Sequence, residues 1–265
     1  MTEFSPDRCA ALLLGARRAP GPLRRKLAAL PDGAHPTTLA EGVAAQTALA
    51  RLKDRSVPAG FKIGATAARM QAHLGLDGPA AGFMPRENLH GSGSTLSFNG
   101  FLHPGVECEL AVHLGADLPG ACTPDKAAAA VDLVMAGIEV VENRYDDLQS
   151  FGAPALVADQ VFHAAAVLGE PFADWRSLDL GALEGTLSLN GKRVAGGQGR
   201  ELLGHPMAAL AWLAGSAEAR AFGGLKAGQV VMLGSVCPPV WLDGPAEVSV
   251  AFAPLPAVML SLVAS

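Results

Sequence analysis

Hydrophobic and polar positions change rhythm along this chain near residue 60. Before it, apolar positions fall at helical spacing over residues 6–17, roughly 22–29 and 38–54, where Leu39, Val43, Thr47 and Ala50 recur near one face. Thr38 followed three residues later by Glu41 is a capping box, which predicts where the third of these helices starts. From Gly60 the texture alters: "GFKIGAT" reads as a short strand ended by Gly64, and "ARMQAHLGL" as a helix stopped near Gly75. Beyond Gly82 come strand-like pieces punctuated by Gly, Pro and Asn: "STLSFNG", "GVECELAVHL", "MAGIEVVEN", "HAAAVLG", "EGTLSLNGKRVAGG", "GQVVMLGS" and "AEVSVAF". Between them "TPDKAAAAVDLVMAG" predicts a helix opened by Thr123 and Pro124, and "HPMAALAWLAGSAEA" another opened at Pro206. Asn190-Gly191 predicts a tight hairpin. With no strand–helix alternation, no glycine-rich nucleotide loop and no internal repeat, the predicted class is α+β, a helical portion over 1–59 leaning on a mostly β body over 60–265.

Composition narrows the function classes. Half of the 265 residues are hydrophobic and 17% are charged, which excludes a disordered chain and fits a well-buried enzyme or an oligomer that hides extra surface. A net charge of -5 gives no electrostatic footprint for nucleic acid, and the basic clusters Arg17-Arg18 and Arg24-Arg25-Lys26 read as solvated helix surface. No run approaches the ~18 apolar residues of a membrane span, and the N-terminus lacks the basic start and cleavage site of a signal peptide, so the expected location is cytoplasmic. Cys9, Cys108, Cys122 and Cys237 are widely spaced without a C-x-x-C pattern, which predicts reduced thiols rather than a zinc site or disulfide framework.

The candidate chemistry begins with "VECELAV" at 106–112. In an extended strand Glu107 and Glu109 share one face, while Val106, Cys108 and Leu110 share the other. Two carboxylates so held repel, and relief comes from a shared proton, a Lys or Arg partner, solvent or a bound cation. Such an oxygen pair suits a hard divalent ion, Mg2+ or Mn2+; the plain alternative is the wet face of an amphipathic strand. Glu139, in "AGIEVVENRY", is a third acid set among core residues, whereas Glu142 faces the other way and is expected at the surface or paired with Arg144. Lys62 lies between Phe61 and Ile63, either exposed or partly buried and equipped for proton transfer. The seven histidines are dispersed, without metal-site spacing, and no serine sits in a G-x-S-x-G elbow.

Taken in order, "GFKIGAT", "HLGLDGPAAG", "VECELAV", "GIEVVENR", "VADQ", "GRELLGHPMAALAWLA" and "LKAGQVVMLGS" resemble the fumarylacetoacetate hydrolase superfamily, most of all its 2-keto-4-pentenoate hydratases and their 2-oxo-3-hexenedioate (4-oxalocrotonate) decarboxylase relatives. The likeness runs from about Thr38 to the end. It implies the family's mixed β-roll with helices around it, and a divalent cation, Mg2+ or Mn2+, held by Glu107, Glu109 and Glu139. It further implies a small 2-oxo acid substrate gripped through its carboxylate and neighbouring oxygen, with Lys62 moving the proton. Gly234 and Ser235, in "MLGSVCPPV", are candidate substrate contacts, the plain alternative being a strand-ending turn, and Asp159 and Gln160 are expected to support the site from behind. The implied reaction is addition of water to an unsaturated 2-oxo acid in aromatic-compound catabolism, in a homo-oligomer built from dimers, with a complex to a partner enzyme of the pathway left open.

One position departs from the pattern. Hydratases of this group carry an acid in a Pro-Asp-Phe-Gly loop, where this chain has Pro79-Ala80-Ala81-Gly82. Either Asp77 nearby takes the role or the reaction needs no acid there, as in decarboxylation, where the carbonyl is the electron sink and carbon dioxide leaves. Carbon–carbon hydrolysis of an acylpyruvate lacks a recognisable base, and a non-catalytic binder or partner subunit is opposed by the intact acids and Lys62.

Overall fold

The computed structural model describes residues 3–18, 25–53 and 57–264. The N-terminal part supplies α1 (Pro6–Arg18) and α2 (Leu39–Leu52). The body then runs through β1 (Gly60–Gly64), α3 (Ala68–Leu74), β2 (Ala80–Met84), β3 (Leu89–Gly91), β4 (Ser94–Ser97), β5 (Pro104–Leu114), α4 (Pro124–Ala130) and β6 (Val131–Glu142). It continues with α5 (Leu148–Ala158), β7 (His163–Leu168), β8 (Glu184–Leu189), β9 (Lys192–Gln198), α6 (Pro206–Gly215) and α7 (Ala217–Ala221). The last strands are β10 (Val230–Ser235), β11 (Val240–Trp241), β12 (Ala246–Phe252) and β13 (Val258–Val263).

The strands form two sheets. One has the order β2-β1-β10-β5-β6-β7-β3, with β11 added on β5; the other has the order β4-β13-β12-β8-β9. Most pairs are antiparallel, but β1–β10, β3–β7 and β4–β13 are parallel, so the architecture is the mixed α+β one expected. The longest ladder is β5 on β6, registered from Pro104↔Glu142 to Leu114↔Val131. Its apolar face, with Val106, Cys108, Leu110, Ile138 and Val140, shares one buried cluster with Leu187, Val248, Val250, Phe252 and Leu260 of the second sheet. That burial fixes the register, because a one-residue slip would turn Glu107 and Glu109 into the core.

Local signals are honoured where tertiary pairing does not compete. The Thr38 hydroxyl accepts from the Glu41 amide at 3.2 Å, and the Glu41 carboxylate accepts from the Thr38 amide at 3.1 Å. Asn190 and Gly191 turn the β8–β9 hairpin with φ of 50° and 78°. Elsewhere pairing overrides pattern. The helix expected over "TPDKAAAAVDLVMAG" stops at Ala130, since Val131 to Glu142 finds a full ladder on β5. The helix expected over roughly 22–29 is not formed at 25–29, where Leu27 instead bridges Tyr145 and donates its amide to the Arg144 carbonyl at 2.7 Å; residues 22–24 lie outside the described residues, as does Asp54 at the expected end of α2. The alanine-rich β2, together with β3, α5 and β13, has no counterpart in the pattern reading. Gln46 of α2 joins the helical part to the body, donating to the carbonyls of Ala81 at 3.0 Å and Val157 at 2.6 Å and accepting from the Phe83 amide at 3.1 Å.

Close approach of β1 and β10 depends on Gly60, where an added Cβ would lie 2.0 Å from the Val230 carbonyl oxygen. Backbone cannot yield there as a side-chain tip would. Gly60→Ala is expected to destabilise the protein by roughly 1 to 3 kcal/mol or more, as overpacking does; urea unfolding of the two proteins measures it, and equal midpoints would refute the claim.

Candidate metal centre

The β5–β6 register sets Glu107 opposite Glu139 and Glu109 opposite Gly137. Carboxylate oxygens of Glu107, Glu109 and Glu139 consequently lie within 4.8 Å of one another. Glu109 and Glu139 are fully buried and Glu107 is half-buried. Lys62, buried on β1, brings its Nζ to 3.3 Å from Glu139 Oε2. The Gly234 amide donates to Glu109 Oε2 at 2.9 Å, and His163 Nδ1 lies 2.9 Å from Glu139 Oε1.

Electrostatically the cluster is under-compensated. Burial, then repulsion by Glu139, pushes the Glu107 carboxyl up to about 8 despite Lys62. Burial and the two other acids drive Glu109 well above the usual carboxylate range, and burial raises Glu139 even with Lys62 beside it. The neighbours' effect on His163 is the reverse: burial and nearby cations, Lys62 first among them, hold its imidazole neutral by pushing its pKa well down. Among the described residues two buried carboxylate oxygens make no well-aligned hydrogen bond: Glu109 Oε1, and Glu139 Oε2, which has only the Lys62 ammonium at 3.3 Å. Unsatisfied buried acceptors are costly, and three hard oxygen donors converging with surplus negative charge match the needs of Mg2+ or Mn2+. The residues present therefore fit a divalent cation.

Beside the cluster is a cavity of about 410 Å3. Glu107 opens onto it, as do Ser235 and the Cys237-Pro238 turn, while Arg69, Met70 and His73 of α3 and Glu201 line it as well. Ser235 accepts from the Cys108 amide at 3.3 Å and donates to the Cys237 carbonyl at 2.7 Å. Gly234 is not part of the cavity wall; its amide is directed at Glu109, and with φ of 106° an added Cβ would sit 2.6 Å from Thr66 Cγ2, so only glycine fits. Ala80 is buried on β2 opposite Gly64, and Asp77 is exposed; neither lines the cavity.

Behind the cluster lies an ionic network that sequence reading resolves only in part. Glu142 pairs with Arg144 at 2.8 Å, as one of the two expectations had it, but in a buried setting. Arg17, expected as solvated helix surface, instead donates to Asp159 Oδ1 from Nε at 2.8 Å and from Nη2 at 2.6 Å, because a buried carboxylate on the body needs its charge. Arg144 Nε holds Asp159 Oδ2 at 2.8 Å. Burial alone would raise Asp159, yet the two guanidiniums bring it below the usual carboxylate range. Neither Asp159 nor Gln160 is among the three clustered acids. Gln160 donates to the Phe83 carbonyl at 2.6 Å, and its own carbonyl presses on Gly82, where a Cβ would be 2.4 Å away. Gln160, Val161 and Phe162 have φ of 56°, 52° and 66°, three successive non-glycine residues in the left-handed region. His163 follows them, and no spacing in the sequence signals its place beside Glu139.

Comparison with known proteins supplies the family and the fold. Residues 60–259 match the family described as fumarylacetoacetate (FAA) hydrolase C-terminal. The chain is 33% identical over 220 residues to 2-hydroxyhexa-2,4-dienoate hydratase of Comamonas testosteroni, covering 81% of this chain and 82% of that protein. It is 31% identical over 178 residues to 4-oxalocrotonate decarboxylase of Pseudomonas putida, covering 67% of each. Among solved structures, 4-oxalocrotonate decarboxylase from Pseudomonas putida G7, complexed with magnesium and adipate, superposes with a TM-score of 0.87 at 24% identity, covering 99% of this chain and 100% of that one, which establishes the shared fold.

A carboxyl whose pKa is higher folded than unfolded stabilises the fold below its unfolded value and loses that contribution as pH rises towards the folded value. For Glu107 the window runs from 4.5 to about 8. With chelator present, the stability advantage of Glu107→Gln over the parent protein is expected to widen through that window, and added Mn2+ is expected to reverse it. Thermal unfolding across the pH series checks this, and a gap that stays constant would contradict it.

Proposed function

The chain belongs to the fumarylacetoacetate hydrolase family, and on that footing we propose that it is a divalent-metal-dependent hydro-lyase that adds water to a small unsaturated 2-oxo or 2-hydroxy acid, of the 2-keto-4-pentenoate hydratase kind, in the breakdown of aromatic compounds. The observation that carries this reading is the cluster of Glu107, Glu109 and Glu139 with Lys62 against it, open to a cavity through Glu107 alone. The three glutamates would hold Mg2+ or Mn2+, which when bound supplies Lewis-acid polarisation of a 2-oxo group. The chain's own groups do the rest. Glu107, half-buried, joins the cluster to the cavity where the acid enters, and Glu109 is kept in place by the Gly234 amide. Lys62 Nζ is the group that holds a proton beside the cluster and exchanges it with the substrate's carbon chain. Ser235 presents its hydroxyl at the wall, and Ile63, Met70, Val236 and Pro239 supply an apolar surface for an unsaturated chain.

A second reading, decarboxylation of 2-oxo-3-hexenedioate, is favoured by one observation. Position 80 holds a buried alanine, so no acid enters the cavity from that turn, and a reaction whose leaving group departs as carbon dioxide needs none. We place the protein in the cytoplasm as a homo-oligomer built from dimers. Support comes from the high apolar fraction and from exposed Leu12, Trp241 and Met259; among the described residues no helix is long and apolar enough to cross a membrane.

Purified protein with Mg2+ is expected to consume 2-hydroxypenta-2,4-dienoate, followed by the loss of its ultraviolet absorbance. Lys62→Ala and Glu107→Ala are each expected to lower the rate by about 10^2-fold or more, the usual worth of a proton-transfer group. Undiminished turnover in either variant would remove the role given to that residue. Carbon dioxide release from 2-oxo-3-hexenedioate without hydration of the dienoate would decide for the second reading.

A further inference from the structure

We propose that His163 is a positioning residue for Glu139: its imidazole fixes one carboxylate oxygen so that the other is left for a cation. The inference rests on the metal reading given above and extends it to a residue outside the three glutamates and Lys62. Three separate features of the chain converge on this side chain. The first is a register shift. Strand β7 pairs with β6 through Glu139↔Ala166 and Val140↔Ala165, but the next pair is Val141↔His163 rather than Val141↔Ala164. The extra residue is a bulge, and bulges re-aim side chains. Here it puts His163 on the face that Glu139 and Val141 share; in an unbroken ladder His163 would oppose Glu142 and face the other way.

The second feature is the left-handed run Gln160–Phe162 that leads into β7. Such conformations persist in non-glycine residues only when the surroundings impose them. The third feature is what imposes them. Arg17 Nη1 and Arg144 Nη2 donate to the His163 carbonyl at 3.3 and 3.5 Å, and the same two guanidiniums grip the Asp159 carboxylate and carbonyl. Both ends of the segment 159–163 are therefore clamped by cations, one of them from α1.

All this delivers a fully buried ring with one side-chain bond. Towards an ionised Glu139 the Nδ1–H donates to Oε1 at 2.9 Å, and Nε2 is buried with no partner among the described residues. A group kept for packing alone would be better as an apolar side chain, since the unpaired nitrogen costs free energy. With Oε1 engaged by the ring, Oε2 is the oxygen turned to the cluster, where the Lys62 ammonium lies 3.3 Å away and no well-aligned hydrogen bond is made among the described residues. Hydrogen bonds that orient a ligating carboxylate in this way typically matter about 10- to 100-fold in metal affinity.

The test is titration calorimetry of Mn2+ into the metal-stripped full chain, beside its thermal unfolding. His163→Asn places an amide nitrogen near the position of Nδ1, and His163→Gln places one near that of Nε2. Positioning through Nδ1 predicts that H163Q and H163A bind Mn2+ roughly 10- to 100-fold more weakly than the parent and that H163N recovers most of the loss. If H163A fails to fold, the comparison of H163N with H163Q decides the matter. Parent-like affinity in H163Q, or equal weakening in H163N and H163Q, would overturn the proposal while leaving the metal reading intact. A parent protein that takes up no Mn2+ would overturn the metal reading and this inference with it.

Discussion

Glu107 faces Glu139 across the β5–β6 ladder, and this juxtaposition of like charges is the constraint to which the surrounding structure answers. Like charges directly opposite each other weaken a strand pair. They are tolerated because the other face of the same ladder is continuous core, whose burial against the second sheet far outweighs a local repulsion. The core thus holds the acids in a geometry that the acids alone would abandon. Lys62, delivered by β1, and the Gly234 amide, delivered by β10, reduce the repulsion without removing it.

A short distance away the same chain solves the opposite problem. Asp159 is as deeply buried as Glu109, yet its carboxyl lies below the usual range while that of Glu109 lies far above it. Burial acts identically on both; the neighbours decide. Asp159 is gripped by two guanidiniums, whereas the three clustered glutamates share the single ammonium of Lys62 as their main opposing charge among the described residues. The first arrangement is self-sufficient and structural. The second lacks that compensation, which is the physical reason for proposing a bound cation there.

Much of this was legible in the sequence because it follows from strand parity. Alternation alone put Glu107 and Glu109 on one face and turned Glu142 away from Glu139, and the ordered motifs supplied the family. The capping box at Thr38 and the turn at Asn190-Gly191 were legible because their chemistry is local. What escaped depended on distant partners. Arg17 reads as surface until Asp159 is brought to it from more than a hundred residues away. His163 is misplaced by any parity argument, since a bulge between Val140 and Val141 shifts it by one position. The pattern after Thr123 overstates the helix because an alanine run flows into valines and leucine, whose fate is set by the availability of β5. The buried β2 was missed because alanine and glycine carry little periodic signal.

The short helix α3 joins β1 to β2 yet buries no residue, while the strands it connects are buried and paired as far as Gly64↔Ala80. It is an excursion from a closed strand pair, touching the core only at its edge through the partly buried Leu74. Arg69, Met70 and His73, which face the cavity, all sit on this excursion. Exposed positions such as Arg69 and His73 change at a cost within about 0.5 kcal/mol. Selection can therefore rewrite the outer wall of the cavity, residue by residue, on a scaffold whose glutamates and core stay fixed, and the shape and charge of the cavity mouth can change without passing through unstable intermediates.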